Sequence, residues 1–325
     1  MATPDILVSE VGPRDGLQSI ARSMSTGAKH RWIRALAAAG LREIEVASFV
    51  PPRLLPQMAD AAAVVAEALR IPGLTVLALV PNLHGARAAV AAGAHKLTLP
   101  VSASRAHSER NLRKSPEEAV EEVRRVLALR DQSPRAFGVE VGISTAFGCT
   151  LEGRVDEDHV RRLAVALAEA GVDSVGLSDT TGYANPAQVR RMFRHLIADL
   201  GERAGGAHLH NTRGQGLANV VAALEAGVTT FDASLGGLGG CPYAPGASGN
   251  IVTEDLVFLL ESMGLDTGVD LAALLAARDV VRGALPDEPL YGHLSDAGLP
   301  RGFRYARERA GRPAPARPHP AGRDA

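Results

Sequence analysis

Cysteine is nearly absent: the 325-residue chain carries two, Cys149 and Cys241. That scarcity excludes a disulfide-stapled scaffold and fits a reducing cytoplasm, the expected compartment. Long apolar runs are lacking as well. The stretches around Leu74–Val80 and Val220–Ala226 fall far short of the roughly 20 residues of a spanning helix, so no membrane partner is expected. Excess charge of either sign is missing, with 35 Lys and Arg against 36 Asp and Glu and a net charge of −1. Such a balance leaves no electrostatic footprint for nucleic acid. Met1–Asp5 runs straight into a strand-like segment, without a basic start and apolar stretch, and no targeting peptide is expected there.

What the chain does have is a rhythm. Short β-branched or apolar runs recur, each followed by a longer Ala/Leu/Arg-rich segment of helical periodicity. The expected strands are Ile6–Val11, Glu43–Ser48, Thr75–Val80, Lys96–Val101, Gly138–Ser144, Ser174–Ser178, Ala207–His210 and Thr229–Ser234. Helices are expected near Gly27–Ala39, Met58–Leu69, Leu83–Ala92, Pro116–Leu129, Asp156–Ala170, Pro186–Leu200, Gln215–Ala226 and Glu254–Met263. Gly40, Gly93, Gly171 and Gly227 stand where left-handed caps would end helices. Ser115-Pro116-Glu117-Glu118 reads as an N-cap with a first-turn proline and acidic residues at the positive helix end.

Eight such β-then-α units in roughly 260 residues predict a (β/α)8 TIM barrel, with a doubly wound open sheet as the alternative. Val269–Leu285 adds a further helix or pair, so extra C-terminal helices follow the barrel. The expected organisation is a catalytic barrel with this helical extension over residues 1–285 and a C-terminal extension over 286–325. From about Ala310 the extension is rich in Arg, Pro, Gly and Ala, a composition that predicts disorder.

A barrel of this kind places its chemistry at the carboxyl ends of the strands. The unusual polar residues fall there: Arg14 and Asp15 after the first strand, Glu45 in the second, Asp179 after the sixth, His208 and His210 ending the seventh. On a strand, residues i and i+2 share a face, so both imidazoles of His208-Leu209-His210 point one way. Asp15, with Asn250 at another strand end, would complete a mixed N/O site that leaves Mg²⁺, Mn²⁺ and Zn²⁺ open. Arg14 must meet an anion if buried, with Glu45 as its resting partner and a developing enolate oxygen as a catalytic one. Cys241, between glycine and proline after the eighth strand, is a candidate proton donor or nucleophile; Cys149 reads as a buried structural cysteine.

Three blocks carry a family resemblance: Glu10-Val11-Gly12-Pro13-Arg14-Asp15-Gly16-Leu17-Gln18, His208-Leu209-His210-Asn211-Thr212, and Gly236 through Asp255. In these the sequence resembles the 3-hydroxy-3-methylglutaryl-CoA lyases, and the Gly-Cys-Pro-Tyr loop at 240–243 sets it apart from the related condensing synthases. The resemblance covers about residues 5–285. It implies metal ligation by Asp15, His208, His210 and Asn250. It implies catalytic roles for Arg14, Glu45, Asp179, His208 and Cys241, and contacts to an acyl-CoA substrate by Arg14, Gln18, Asn111, Gly239 and Gly240. The cofactor implied is a divalent metal, Mg²⁺ or Mn²⁺, with no organic cofactor, and the expected assembly is a homodimer. Cleavage of the namesake substrate gives acetoacetate and acetyl-CoA. Asn211 and Arg213 depart from the family pattern beside the histidines, as does Leu99–Ser108, which predicts altered acyl recognition. A different 3-hydroxy-3-substituted acyl-CoA is therefore the alternative substrate; a Claisen-type synthase and a non-catalytic acyl-CoA-binding barrel are the remaining readings.

Overall fold

The structure, a computed structural model, describes residues 3–239 and 249–311. Eight parallel strands close on themselves in sequence order, β1 pairing with β8. They are β1 (Leu7–Glu10), β2 (Glu43–Ser48), β3 (Thr75–Leu79), β4 (Lys96–Ser102), β5 (Gly138–Ser144), β6 (Ser174–Ser178), β7 (Ala204–His208) and β8 (Thr230–Ala233). The crossover helices are α1 (Thr26–Ala38), α2 (Ala61–Ala68), α3 (Leu83–Ala92), α4 (Arg105–Leu112), α5 (Pro116–Gln132), α6 (Glu157–Ala170), α7 (Pro186–Leu200) and α8 (Gly216–Ala226). After β8 come α9 (Thr253–Ser262), α10 (Leu271–Ala284), α11 (His293–Ala297) and α12 (Ala306–Arg309). The expected TIM barrel is the fold.

Local chemistry explains most boundaries. Ser115 Oγ accepts from the Glu118 amide while the Glu118 carboxylate accepts from the Ser115 amide, a reciprocal cap with Pro116 in the first turn. Such a cap stabilises α5 by about 1 kcal/mol. Gly93, Gly171 and Gly227 take the left-handed conformation at the ends of α3, α6 and α8, where a side chain would be strained.

Three elements differ from expectation. The helix expected from Met58 splits into a 3₁₀ turn, Pro56–Met58, and α2 from Ala61. Within Val269–Leu285, where a helix or pair was expected, a single helix forms, α10, which packs against α1. The short helix α4 was not foreseen, because its sequence RAHSERNL lacks an apolar stripe; the Ser104 side chain caps it by accepting from the His107 amide. Strand β7 runs three residues earlier than expected and stops at His208, so His210 does not end the strand. Gly205 and Gly206 hide the strand from propensity, yet a Cβ on Gly176 or Gly205 would strike the neighbouring backbone.

The apolar core lies between sheet and helices: Val139, Val141 and Ile143 of β5 and Val175 and Leu177 of β6 are buried outward against them. The barrel axis is different. Where bulky branched side chains usually fill it, Lys96, Thr98, Glu140, Gly142, Ser174, Gly176, Ser178 and Thr230 line a cavity of about 250 Å³. His208 and Asp232 also line it.

Candidate metal centre and active site

A tight π-helical turn, Gly12–Gly16, follows β1 and turns Arg14 and Asp15 toward the barrel mouth. Small residues are required here: a Cβ on Gly12 would press on the Glu10 carboxylate, and one on Gly16 would press on Leu238. Glu10, fully buried, accepts from the amides of Gly12 and Leu235 and from the Thr253 hydroxyl, tying this turn to the chain after β8. Burial, partly offset by those hydrogen bonds, pushes its carboxyl up to about 8.

Arg14 is itself buried. Its guanidinium pairs with Glu45 of β2 and, at 2.6 Å, with Asp15. Burial works against its charge, but Glu45 and Asp15 more than compensate and raise it. The foreseen Arg14–Glu45 pair is present, and Asp15 joins it.

His208 and Asp15 meet His210 across the mouth. The ligating atoms of Asp15, His208 and His210 all lie within 4.8 Å of one another. His208 Nε2 and His210 Nε2 are 3.1 Å apart. His210 lies beyond the strand, where an isolated antiparallel bridge to Asn250 holds its backbone. Asn250 donates from Nδ2 to Asp15 Oδ2 at 2.7 Å and to the Leu238 carbonyl, and its buried Oδ1 has no hydrogen-bond partner.

Two of the three groups, Asp15 and His210, are held in the protonation state that ligation needs. Burial would raise Asp15, yet Arg14, His208 and His210 outweigh it and hold the carboxyl near 2. Burial and then the neighbouring His208 lower His210 to about 4, leaving its imidazole neutral. Burial opposes charge on His208 too, but the hydrogen bond and charge of Asp232 raise it. The Asp232–His208 contact, Oδ2 to Nδ1 at 3.0 Å, was missed in the sequence. Nothing local marks Asp232; only the pairing of β7 with β8, which sets His208 opposite it, makes the contact. A carboxylate on Nδ1 leaves Nε2 as the ligating nitrogen. An anionic oxygen, two imidazole nitrogens and an amide oxygen with no other partner fit a divalent ion.

Asp179 follows β6 and is buried. Its Oδ1 accepts from the amides of Tyr183 and Ala184 at 2.8 and 3.1 Å, while Oδ2 is buried without a partner. Burial raises it to about 6, against the pull of those amides and of His208. Gln18 stands just after the π turn with a buried Oε1 that has no partner. Gly239 lies against Gly16 and Asn250, too close for a Cβ. Asn111 is exposed on α4, and among the described residues no hydrogen bond ties it to this cluster. Gly240 and Cys241 lie outside the described residues; Cys149 is buried, as expected. The Asn211 side chain caps α8 by accepting from the Gly216 amide at 3.0 Å, and among the described residues no hydrogen bond links it to His208 or His210.

Known proteins share this arrangement of sequence and fold. Residues 5–281 match the HMGL-like family. The chain is 43% identical over 272 residues to the hydroxymethylglutaryl-CoA lyase YngG of Bacillus subtilis, covering 84% of this chain and 90% of the relative. The chain belongs to the hydroxymethylglutaryl-CoA lyase family. A second relative, the hydroxymethylglutaryl-CoA lyase of Pseudomonas mevalonii, is 40% identical over 304 residues, covering 93% of this chain and 99% of the relative. Among solved structures, an HMG-CoA lyase from Acenitobacter baumannii in complex with coenzyme A and 3-methylmalate superposes with a TM-score of 0.87 at 38% identity. That match covers 94% of this chain and 99% of the other. The carboxyl transferase domain of Rhizobium etli pyruvate carboxylase, 19% identical, shares the fold with a TM-score of 0.68. Among the described residues no helix is long and apolar enough to cross a membrane.

Proposed function

We propose that this protein is a metal-dependent carbon–carbon lyase that cleaves 3-hydroxy-3-methylglutaryl-CoA to acetoacetate and acetyl-CoA. The observation that carries the reading is the convergence of Asp15, His208 and His210 beside the buried Arg14 and Asp179 in a member of this family.

Asp15, His208, His210 and Asn250 would hold the ion, Mg²⁺ or Mn²⁺. When bound, it supplies Lewis acidity that lowers the pKa of a substrate hydroxyl. Asp179 takes the proton of the 3-hydroxyl on its free Oδ2, and its pKa near 6 suits a base at neutral pH. As that oxygen becomes a ketone, the C2–C3 bond breaks and its electron pair passes into a thioester enolate. Arg14, fixed by Glu45 and already charged, meets that negative oxygen without reorganising. Cys241 delivers a proton to the carbanion carbon, the role the family resemblance gives it, and thereby yields acetyl-CoA. Glu45 serves by holding Arg14; Gln18, Asn111, Gly239 and Gly240 are the proposed acyl-CoA contacts.

The neighbour that holds coenzyme A together with 3-methylmalate supports an acyl-CoA and a hydroxylated acid as ligands here. Incubation of the pure protein with Mn²⁺ or Mg²⁺ and HMG-CoA should release acetyl-CoA and acetoacetate in equal amounts, and chelation should stop it. A panel of 3-hydroxyacyl-CoAs that differ at C3 tests the alternative substrate. Metal-independent turnover, or none on any member of the panel, would overturn the reading. A homodimer in the cytoplasm completes the proposal and is tested by light scattering and by fractionation.

A further inference from the structure

Arg213 stands three residues after His210, at the barrel mouth, and the chemistry above gives it no task. Although exposed, it is engaged: Nη1 donates to the carbonyls of Thr181 and Gly182 at 3.0 and 2.9 Å. The guanidinium also lies over the Tyr183 ring, 4.6 Å from its centroid. These three residues form the turn that follows Asp179. The next amides in the same turn, those of Tyr183 and Ala184, are the ones that hold Asp179 Oδ1.

Other contacts seat the turn between its neighbours. Gly182, in the left-handed conformation, lies so close to Thr212 that a Cβ would collide with that side chain. Thr181 Oγ1 donates to the Gly148 carbonyl at 2.9 Å on the β5 side. Asn219 of α8 donates to the Ala184 carbonyl at 3.2 Å. Thr212 and Arg213 both reach the turn from the loop that carries His210, and of these contacts Arg213 is the one that binds two consecutive carbonyls at once. A planar guanidinium suits that task because its donors are fixed in a fork and its face stacks on an aromatic ring.

We propose that Arg213 is a positioning residue: by clamping the Thr181 and Gly182 carbonyls to the loop after β7, it fixes the turn that orients Asp179 and keeps Oδ2 directed at substrate. The inference rests on Asp179 as the proton acceptor proposed above. Among the described residues Arg213 makes no hydrogen bond or ion pair to the metal ligands or to Asp179; it positions through the turn, and its charge also favours the ionised Asp179. It adds a side-chain tie between the loops that bear the proton acceptor and the histidine pair, beyond the backbone bond from the Asp179 amide to the His208 carbonyl at 2.8 Å.

The test compares Arg213→Ala, Arg213→Lys and Asp179→Asn with the parent, using HMG-CoA and Mn²⁺. A carboxylate displaced by about 1 Å loses on the order of 10²-fold in rate. For Arg213→Ala, kcat should therefore fall about 10- to 100-fold, with KM and the Mn²⁺ dissociation constant within about twofold of the parent. Arg213→Lys, which lacks the fork, should fall between the two, and added methylguanidinium should restore part of the kcat of Arg213→Ala. Hydrogen–deuterium exchange at the amides of Tyr183 and Ala184 should quicken in Arg213→Ala, and this readout needs no substrate. Unchanged exchange there, an unchanged kcat, or a loss confined to KM would overturn the inference. Full activity in Asp179→Asn would instead overturn the role of Asp179, with the exchange result still judging the clamp.

Discussion

Asp232→Asn offers a sharp test of how the metal centre is built. Asp232 Oδ2 and His208 Nδ1 are 3.0 Å apart, and the opposite nitrogen, His208 Nε2, faces His210 Nε2 at 3.1 Å. Asparagine fills the same volume but must choose an orientation. With its oxygen toward the ring it keeps the Nδ1 proton yet loses the full charge that makes the imidazole a strong donor. With its amide toward the ring it drives the proton to Nε2, where it occupies the lone pair that an ion needs. Either outcome weakens ligation without emptying space or removing a ligand. Loss of such an outer carboxylate costs about 10- to 100-fold in metal affinity, or about 1.4 to 2.8 kcal/mol. Isothermal titration of the apo protein with Mn²⁺ measures this directly, and ¹⁵N chemical shifts of His208 report the tautomer. A dissociation constant within about twofold of the parent would refute the argument that Asp232 orients His208.

Arg14→Ala should reduce kcat about 10²- to 10³-fold, the cost of one oxyanion donor at roughly 3–4 kcal/mol; a loss that appears only in KM would contradict its proposed role. Because burial raises Asp179 to about 6 and it must be ionised to accept a proton, log kcat/KM should rise with pH up to a limb near 6 and then flatten. A flat profile from pH 5 to 7 would remove Asp179 as the base. Glu10 binds its proton more tightly folded than unfolded, its carboxyl rising from 4.5 to about 8, so its stabilisation is complete below 4.5 and fades as pH rises through 8. Denaturation midpoints should therefore fall less between pH 6 and 9 in Glu10→Gln than in the parent, and equal slopes would count against a protonated Glu10.

Much of this protein is written in its sequence. The alternation of short apolar runs with Ala- and Leu-rich amphipathic segments, and the left-handed glycines at 93, 171 and 227, are local signals, and they specify strands, helices and stops without reference to the rest of the chain. The spacing of His208 and His210, and their place after a strand with Asp15 after another, likewise predicted a metal site. Where local signals ran out, the sequence misled or stayed silent. Gly205 and Gly206 concealed the start of β7, since glycine's lack of a side chain lowers strand propensity while allowing the close approach that β6 requires there. α4 carries no apolar stripe and forms on a serine cap and its packing beside β4.

Only the closed barrel decided the rest. Asp232 meets His208 because β7 and β8 are neighbours in one register, and His210 faces Asp15 because a bridge to Asn250, 40 residues on, turns it out of the strand. Arg213, read in the sequence as a departure that alters acyl recognition, finds its partners on a loop some 30 residues earlier. Residue type and period are properties of a short stretch of chain and can be read there. Protonation, ligand orientation and the aim of a carboxylate depend on which distant groups share its desolvated space, and that is fixed only when the eighth strand closes on the first.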